Sequence, residues 1–370
     1  MSRASSLDLA PAARIRAAEA MRAAAGPELG PLALEQAVLK QRARAKHPDG
    51  ERLWWTAEAL EQASSYDVAV HRARRFADAP QVLDLCCSVG GDLLALAAVV
   101  PTVGVDLDEA RLLLAAENAT ELGLSVQLMR ADVTGLNPTG AVFADPARRA
   151  GGRRVFDPRA YTPPLDQLLG WLPQLEALGV KVAPGLDYDR LPPELEVELV
   201  SLRGDVKEAV LWGGTARRGT RRMATLLPGG DVLTDHAVDT PAVRAPGPFL
   251  LEPDGAVIRA HLVAQVAAQV QGWLLDETIA YVSAEAVVPT PFGNWYEVLE
   301  VLPFGLKALR ERLRSYDAGP LVVKKRGTAV QPEELRRRLK LTGSRELTVV
   351  LTRAHGRQIA LIARPVASLG

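Results

Sequence analysis

Four aspartates each stand at or just after the end of a short apolar segment of this 370-residue sequence. The carboxyl ends of parallel strands lie along one edge of a sheet, and open α/β sheets bind their ligands at that edge. A single aspartate in such a place is ordinarily a loop or helix-capping residue, but several in phase with successive strands indicate a shared site. The four are Asp84, Asp106, Asp132 and Asp145.

The segment that follows the first of these strands is built mostly from small residues. Residues 84–92 read Asp-Leu-Cys-Cys-Ser-Val-Gly-Gly-Asp, so the backbone can approach a ligand closely and N–H groups at the start of the next helix can point at it. Asp106 stands 22 residues after Asp84, where a carboxylate can accept hydrogen bonds from both hydroxyls of a ribose. Together they predict a site for an adenosine-containing cofactor. The Gly-Lys-Ser/Thr ending of a P-loop is absent, which disfavours phosphoryl transfer.

The elements that must position these residues alternate between short apolar runs and helical segments, which is typical of a parallel sheet covered by helices. Asp108 and Gly123 are placed to cap a helix between the second and third runs. Successive runs and the helical segments between them therefore form βαβ units. The five runs are Gln81–Leu85, Thr102–Asp106, Ser125–Arg130, Ala141–Asp145 and Gly179–Ala183.

Two further runs, Leu195–Leu202 and Val206–Trp212, are separated by only three residues. No crossover fits in that length, so the two strands must be antiparallel. We therefore expect a mostly parallel sheet that ends in a hairpin with a reversed strand. Residues 213–248 lack periodicity and predict a loop or hairpin excursion, and Phe249–Val301 gives no secure assignment.

Changes in composition and in hydrophobic periodicity divide the chain into four regions. Residues 1–78 predict a helical N-terminal piece that contains an amphipathic helix over Pro31–Ala45, and 79–215 the α/β core. Residues 216–301 connect that core to a small α+β domain at 302–370, where strand, helix, strand and strand are predicted. Those last four elements are expected at Gly319–Lys325, Pro332–Leu339, Leu347–Thr352 and Gln358–Ala363.

The charge is distributed unevenly between these regions. The whole chain has 44 basic and 44 acidic residues, but residues 302–370 hold 15 Lys and Arg against 5 Asp and Glu. A surplus of this size on a small domain is a footprint for a polyanion such as nucleic acid. A solvated surface explains the same count equally well, so charge alone leaves both readings open.

Other classes of protein are excluded or disfavoured by what the sequence lacks. The only cysteines, Cys86 and Cys87, are adjacent and cannot close a loop, which argues against a disulfide scaffold and fits the cytoplasm. The longest nearly unbroken apolar run, Leu93–Val105, is too short for a membrane span. The five histidines show no metal-ligand spacing, so we expect no metal and no membrane association. Nothing in the sequence indicates an oligomeric state.

Several motifs of this chain resemble those of class I S-adenosylmethionine-dependent methyltransferases. Residues 82–92 resemble motif I, Val-Gly-Val-Asp (103–106) motif II, Ala-Asp-Val (131–133) motif III and Phe-Ala-Asp-Pro-Ala-Arg-Arg (143–149) motif IV. The C-terminal region, with Val-Lys-Lys-Arg-Gly (323–327) and Leu-Arg-Arg-Arg-Leu (335–339), resembles the THUMP-like domain that ends one bacterial branch of these proteins. The resemblance covers about residues 53–212 and 302–364.

This resemblance implies a Rossmann-like sheet, mostly parallel with a reversed last strand, and S-adenosylmethionine as cofactor. The loop from Cys86 to Gly90 would hold its methionine end, Asp106 its ribose, and Asp132 with Val133 its adenine. Motif I usually has glycine where Cys86 and Ser88 stand, and a positive φ at either would cost about 1–2 kcal/mol. The cofactor-binding residues expected are Gln62, Ser64, Asp84, Cys86, Cys87, Ser88, Gly90, Asp106, Leu107, Asp132 and Val133.

The segment that begins at Asp145 lies where the methyl acceptor must approach. Methyl transfer is a direct displacement, so the protein has to place the nucleophile in line and relieve the proton or charge it sheds. Asp145 and the Pro146 carbonyl suit that role for an exocyclic amine, although Arg148 stands where related enzymes have an aromatic residue. The substrate-binding residues expected are Arg148, Arg149, Phe156 and Tyr161, with Lys324, Lys325 and Arg326 in the basic domain.

The function expected from the sequence is methyl transfer from S-adenosylmethionine to RNA, with tRNA or rRNA bases as targets. A basic domain joined to a catalytic core raises the local concentration of a phosphate-bearing substrate without specifying the base. Two alternatives remain open at this stage. One is a methyltransferase that acts on a protein or small molecule, and the other is an RNA-binding protein whose core has lost turnover.

Overall fold

A computed structural model describes residues 14–147, 149–150, 153–154 and 157–367 of the chain. These residues form two compact units. One contains the chain up to Glu196 together with Lys207–Gly219, and the other contains Val197–Val206 together with the chain from Thr220 onward. Within these residues no helix combines the length and the apolar character needed to cross a bilayer.

The first unit begins with helices, as the sequence predicts. Helix α1 spans Arg14–Ala43 and is interrupted at Gly26, whose φ is 83°. Helix α2 (Ala57–Gln62) is capped by Thr56, and α3 (Tyr66–Ala73) continues into a 3₁₀ turn that ends at Phe76. The predicted amphipathic helix thus forms the second half of α1. A series of turns over residues 44–53 follows this helix.

The sheet of the first unit is parallel except for its last strand, as predicted. Strands β1 to β4, together with β7, run parallel, and β9 pairs with β7 in the opposite direction. The strands lie in the order β9-β7-β4-β1-β2-β3. Their bounds are Val82–Leu85 (β1), Thr102–Asp106 (β2), Gln127–Arg130 (β3), Gly140–Ala144 (β4), Leu175–Val182 (β7) and Asp205–Gly214 (β9).

The strand order creates a switch point between β1 and β4. The chain proceeds from β1 to β2 and β3 on one side and then crosses to β4 on the other side of β1. Connections therefore diverge above the carboxyl ends of these two strands, where open α/β sheets leave a crevice. The covering helices are α4 (Leu93–Ala97), α5 (Glu109–Glu121) and α6 (Leu165–Gly170), and a short hairpin is formed by β5 (Arg149–Ala150) and β6 (Arg153–Arg154).

Local signals explain the boundaries of α5. The Asp108 carboxylate accepts hydrogen bonds from the N–H groups of Ala110 and Arg111, and Gly123 follows the helix with a φ of 69°. Both caps are those that the sequence predicts. Asn118 on this helix is buried and bonds to both backbone groups of Trp54 and to the Val89 carbonyl. It thereby ties the N-terminal helices to the loop after β1.

The second unit begins with strand β8 (Glu196–Leu202), which ends at the turn Arg203-Gly204. Both turn residues have positive φ, as in the two-residue turns of β-hairpins. The sequence predicts that the sheet ends here, but β10 (Arg222–Leu227) pairs with β8 in parallel, and β11 (Asp231–Thr234) pairs with β10. The region predicted as a loop or hairpin excursion therefore contains a hairpin, β10 and β11, whose first strand lies beside β8.

A seven-stranded sheet forms the rest of this unit, in the order β13-β14-β12-β15-β18-β17-β16. The predicted strand, helix, strand and strand are confirmed as β16, α10, β17 and β18. The strands are β12 (Phe249–Pro253), β13 (Trp273–Leu274), β14 (Val282–Ala284), β15 (Gly293–Pro303), β16 (Ala318–Lys325), β17 (Arg345–Ala354) and β18 (Arg357–Pro365). The helices are α7 (Gly255–Arg259), α8 (Val263–Gln269), α9 (Leu306–Ser315) and α10 (Pro332–Leu339).

Helices α9 and α10 pack on one hydrophobic core of this sheet through leucines spaced four residues apart. Leu309 and Leu313 of α9 and Leu335 and Leu339 of α10 are buried in that core. The spacing places each pair on one helix face and leaves the remaining faces to solvent. The sequence did not predict α9 or the four strands before it. The domain start proposed at Leu302 falls inside β15.

Candidate functional site

A cavity of about 430 Å³ opens at the carboxyl ends of the strands of the first unit. It lies at the switch point, next to the ends of β1, β2 and β4. Nine residues predicted from sequence as cofactor-binding or catalytic line it: Gln62, Ser64, Asp84, Cys86, Cys87, Ser88, Asp106, Asp145 and Pro146. Seven charged residues not predicted for the site line it as well: Lys46, Glu61, Asp92, Arg111, Lys181, Lys207 and Glu208.

The loop after β1 has the backbone conformation that its sequence makes costly. Cys86, Ser88 and Gly90 have φ values of 65°, 53° and 99°. Only glycine adopts such values freely, so Cys86 and Ser88 each carry a steric cost of about 1–2 kcal/mol. Burial raises the pKa of the Cys86 thiol, and the neighbouring Asp106 and Asp145 add to that effect. Cys86 is therefore a neutral wall residue and not a reactive thiolate.

Asp106 fixes this loop. Its Oδ2 accepts a hydrogen bond of 2.9 Å from the Ser88 N–H, and its Oδ1 accepts one of 2.9 Å from the Asp108 N–H. Each carboxylate oxygen has a second lone pair, and the residue lines the cavity. The same side chain therefore shapes the loop and presents acceptors to the cavity.

Asp84 is the most buried of the cavity carboxylates, with 1% of its surface exposed. Neither of its oxygens has a hydrogen-bond partner among the residues that the structure describes. Burial raises its pKa well above the ordinary value, and the nearby carboxylates of Asp92 and Asp145 raise it further, against the opposing effect of Arg72. Asp84 is thus a cavity carboxyl group that lacks the partner a buried charge requires.

Asp145 is held at the mouth of β4 by a buried lysine. Lys181 on β7 is 4% exposed, and its Nζ lies 2.6 Å from Asp145 Oδ2 and 3.0 Å from Ser64 Oγ. One Asp145 oxygen is therefore taken up by an ion pair, whereas no bond to the other is found within the described part of the chain. The ammonium still has one N–H to offer.

A second buried cation, Arg72 on α3, compensates the acidic residues behind the cavity. It forms ion pairs with Asp92 and Glu208 and donates to Ser64 Oγ at 2.8 Å. Burial opposes its charge, but the two carboxylates raise its pKa, so it remains a cation. Ser64 therefore accepts from Arg72 and from Lys181 at once.

Lys46 secures the loop that carries Ser64. Its Nζ donates to the carbonyls of Leu60, Glu61 and Ala63 at 2.7, 2.8 and 2.8 Å. These bonds satisfy carbonyls at the end of α2, where a cation is favourable. Because all three of its protons are used, Lys46 positions the cavity wall and has none left for a ligand.

Several predicted site residues lie away from the cavity lining. Leu107 is 63% exposed, and Asp132 caps the 3₁₀ turn Val133–Gly135, where bonds from Thr134 lower the pKa of Asp132. Tyr161 is 2% exposed and accepts a bond from the Ala183 N–H, so its ring packs in the core and offers no stacking face. Val133 is buried, and Gly90 contributes its backbone turn. Arg148 and Phe156 lie outside the described residues, as does the side chain of Arg149.

The basic residues predicted in the second unit are partly neutralised within it. Lys324 Nζ lies 2.6 Å from Glu252 Oε2 and 5.5 Å from the centre of the Tyr296 ring. Arg326 lies 3.7 Å from the other Glu252 oxygen and 5.1 Å from the Tyr281 ring. Lys325 is exposed, and the contact recorded for it within the described residues is a long one of 3.5 Å to Gln331 Oε1.

Comparison with known proteins shows the family to which this chain belongs. The chain is 42% identical over 347 residues to an uncharacterized S-adenosylmethionine-dependent methyltransferase of Mycobacterium tuberculosis, in both strain CDC 1551 and strain H37Rv, and the match covers 90% of this chain and 95% of the relative. This chain belongs to the S-adenosylmethionine-dependent methyltransferases. A family profile described as THUMP domain-like matches residues 293–365 of the methyltransferase. Its fold is shared with a candidate methyltransferase from Porphyromonas gingivalis W83, with a TM-score of 0.74 and 21% identity over 92% of this chain and 91% of that one.

The cavity of the methyltransferase fits its methyl donor. S-adenosylmethionine carries a sulfonium and an ammonium, and Asp84 is a buried carboxyl group with no partner among the described residues. The donor also carries ribose hydroxyls, for which Asp106 has free lone pairs at the cavity wall. In the described part of the methyltransferase, no three His, Cys, Asp or Glu side chains are placed so that they could hold a metal ion together.

Sequence reasoning missed Lys181, Arg72, Asp92 and Glu208. Their partners lie far away along the chain, since Lys181 is 36 residues from Asp145 and Arg72 is 136 residues from Glu208. One signal was available for Lys181, because a lysine interrupts an otherwise apolar strand that must be buried on both faces. Such a residue needs a buried partner.

The strain in the loop after β1 predicts the effect of a glycine at position 88. We expect Ser88→Gly to raise the free energy of unfolding by about 0.5–1 kcal/mol, because glycine removes the clash at positive φ. Ser88→Ala keeps the Cβ and is the matched control, for which no gain is expected. Urea unfolding of the two variants measures the difference, and equal stabilities would contradict the strain.

The unpartnered carboxyl of Asp84 predicts a pH dependence of stability. Because its folded-state pKa is raised, its contribution is fully present below the unfolded value near 4 and is lost as pH rises through the folded value, by at most about 1.4 kcal/mol per pH unit. Asp84→Asn has no proton to lose. We therefore expect the Tm of the variant minus that of the natural protein to rise between about pH 4 and pH 8, and a constant difference in thermal melts would contradict this.

Proposed function

We propose that this methyltransferase modifies RNA, with a tRNA or rRNA base as the methyl acceptor. The observation that carries the proposal is the exposed basic surface of the second unit, which contains Lys307 and Arg314 of α9 and Arg337 of α10. The match of that unit to a THUMP domain-like family supports the same substrate class. The cofactor and the acceptor meet in the cavity of the first unit.

The cavity residues divide between holding the donor and directing the acceptor. The loop from Cys86 to Gly90 would hold the methionine end of the donor, Asp106 would accept hydrogen bonds from its ribose hydroxyls, and Asp84 would pair with its positive charge. When bound, the donor supplies an electrophilic methyl group. Gln62 and Ser64 close the cavity on the side of α2.

Asp145 and the Pro146 carbonyl direct the acceptor. The free Asp145 oxygen and that carbonyl accept hydrogen bonds from an amine, which aims its lone pair at the methyl group. They also stabilise the positive charge that the nitrogen gains as it is methylated. Lys181 keeps the Asp145 carboxylate in place through the bond to Oδ2.

The RNA is held through phosphates by exposed cations of α9 and α10. Arg312, Arg336 and Arg338 pair with Glu300, Glu333 and Glu334. Lys307, Arg314 and Arg337 are exposed and take part in no ion pair among the residues that the structure describes. Cations without an acidic partner contribute most to the affinity for RNA, because each one that binds a phosphate releases counterions from the RNA backbone.

The acceptor site predicts a separation between catalysis and cofactor binding. We expect Asp145→Ala to lower methyl transfer to RNA about a hundredfold or more, and Lys181→Met to lower it about tenfold through the loss of the bond that orients Asp145. Lys181→Arg, which keeps the charge, should retain more activity than Lys181→Met. The affinity for S-adenosylhomocysteine, measured by calorimetry, should change less than about threefold in Asp145→Ala and in Lys181→Arg. Full activity of Asp145→Ala would contradict the assignment.

The basic surface predicts a salt-dependent interaction with RNA. We expect Lys307→Glu/Arg314→Glu/Arg337→Glu to weaken the binding of bulk tRNA about tenfold or more and to reduce the slope of log affinity against log salt by about 2. The matched control is Arg16→Glu/Arg22→Glu/Arg74→Glu, which makes the same change in net charge at exposed positions of the first unit. Equal losses in both triple variants would mean that net charge alone is responsible.

The substrate class is tested by transfer of a tritium-labelled methyl group into separated cell fractions. Total RNA, protein and small metabolites from cells lacking the enzyme are each incubated with the purified protein and labelled S-adenosylmethionine. We expect label in RNA, and its loss with Asp145→Ala. Label confined to protein or metabolites would overturn the RNA assignment and leave the methyltransferase family unaffected.

A further inference from the structure

Asp84 stands apart from the other carboxylates of the cavity. Asp92 and Glu208 are paired with Arg72, Asp145 is paired with Lys181, and Asp106 accepts two backbone N–H bonds. Asp84 lines the same cavity and is the most buried of these carboxyl groups. Its two oxygens have no partner within the described residues.

The charged groups that act most strongly on Asp84 come from several elements of the first unit, and the thiols of Cys86 and Cys87, whose pKa values are raised, lie on the loop that follows it. Asp92 precedes α4, Asp106 ends β2 and Asp145 follows β4, and all three disfavour a further negative charge. Arg72 of α3 is the one cation among its main electrostatic neighbours, and its guanidinium is already bonded to Asp92 and Glu208. A carboxylate in this position would be buried, unpaired and surrounded by like charge, a state that a carboxyl group avoids by keeping its proton.

We propose that Asp84 is neutral in the cofactor-free protein and gives up its proton to solvent when the cationic end of the cofactor binds beside it. One O–H bond of the carboxyl breaks, the proton passes to buffer, and the carboxylate pairs with the arriving cation. This coupling rests on the cofactor site of the proposed function. Its consequence is that the affinity for the cofactor rises with pH, by up to about tenfold per pH unit while Asp84 is protonated in the free protein.

The chemistry of the cavity favours a cation over other occupants at this position. A neutral group would satisfy a protonated Asp84 without changing its charge, and an anion would be repelled by the neighbouring carboxylates. The cofactor has two positive groups, a sulfonium and an ammonium. S-adenosylhomocysteine retains only the ammonium, so the two ligands report which charge Asp84 meets.

Calorimetry in several buffers measures the proton directly. The binding enthalpy is plotted against the ionisation enthalpy of the buffer, and the slope gives the number of protons released. The titrations should be made near pH 6.5, because a free α-amino group has a pKa of about 7.7–8.0 and is then almost fully protonated. We expect the natural protein to release a substantial fraction of one proton when it binds S-adenosylmethionine. Release with S-adenosylhomocysteine as well identifies the ammonium as the partner, and release with the sulfonium ligand alone identifies the sulfonium.

Two variants separate Asp84 from the rest of the cavity. Asp84→Asn keeps the shape and should bind without proton release and with little dependence of affinity on pH. Asp145→Asn removes a carboxylate already paired with Lys181 and should keep a smaller but measurable release, because Asp145 is one of the charges that hold the proton on Asp84. Thermal melts confirm that each variant is folded, and Asp84→Ala serves if the asparagine variant is not. Binding by the natural protein with no proton release, or release that persists in both Asp84 variants, would overturn the proposal. Absence of any binding heat with either ligand would instead count against the cofactor site itself.

Discussion

Charge compensation at the carboxyl edge of the first sheet is the constraint on which the site depends. Besides the exposed Glu61, five acidic side chains line one cavity, and leaving them ionised without partners would cost more than a fold of this size can spare. Two buried cations and two backbone N–H groups satisfy four of the five. The remaining one, Asp84, sits at the end of the central strand β1, where the donor's positive charge can complete the balance. Among the described residues, Asp84 is therefore the buried carboxyl group of the cavity that has neither a cation nor an N–H group as partner.

The same cations also set the shape of the cavity. Ser64 accepts from Arg72 and Lys181, so the loop before α3 is fixed to the two ion-pair systems, and Lys46 fixes the end of α2 through three carbonyls. The loop between α2 and α3 is thus held by charged side chains in addition to the apolar packing of Ala59 and Leu60. A change in any of these cations would alter both the electrostatics and the geometry of the site.

Much of the fold follows from local patterns in the sequence. The alternation of apolar runs and helical segments gave β1 to β4, the caps of α5 and the four last elements, because each depends on residues close together in the chain. The placement of Asp84, Asp106 and Asp145 on one rim followed from parallel order alone. Arg72 and Lys181 could not be found in this way, since their roles depend on partners distant along the chain. The strands β12 to β15 were not predicted because buried and exposed residues do not alternate regularly along them.

The C-terminal unit shows why counting charges is a weaker guide than placing them. The surplus of ten positive charges predicts a polyanion partner, and Lys324-Lys325-Arg326 is one of the two runs of three consecutive basic residues in 302–370. Yet Lys324 and Arg326 share Glu252 and lie against tyrosine rings, so a phosphate would have to displace an existing partner to reach them. The exposed cations of α9 and α10 that lack a described partner face no such competition. Since the electrostatic gain on binding comes from charges that are solvated beforehand, the helices rather than the basic strand end carry the argument for RNA.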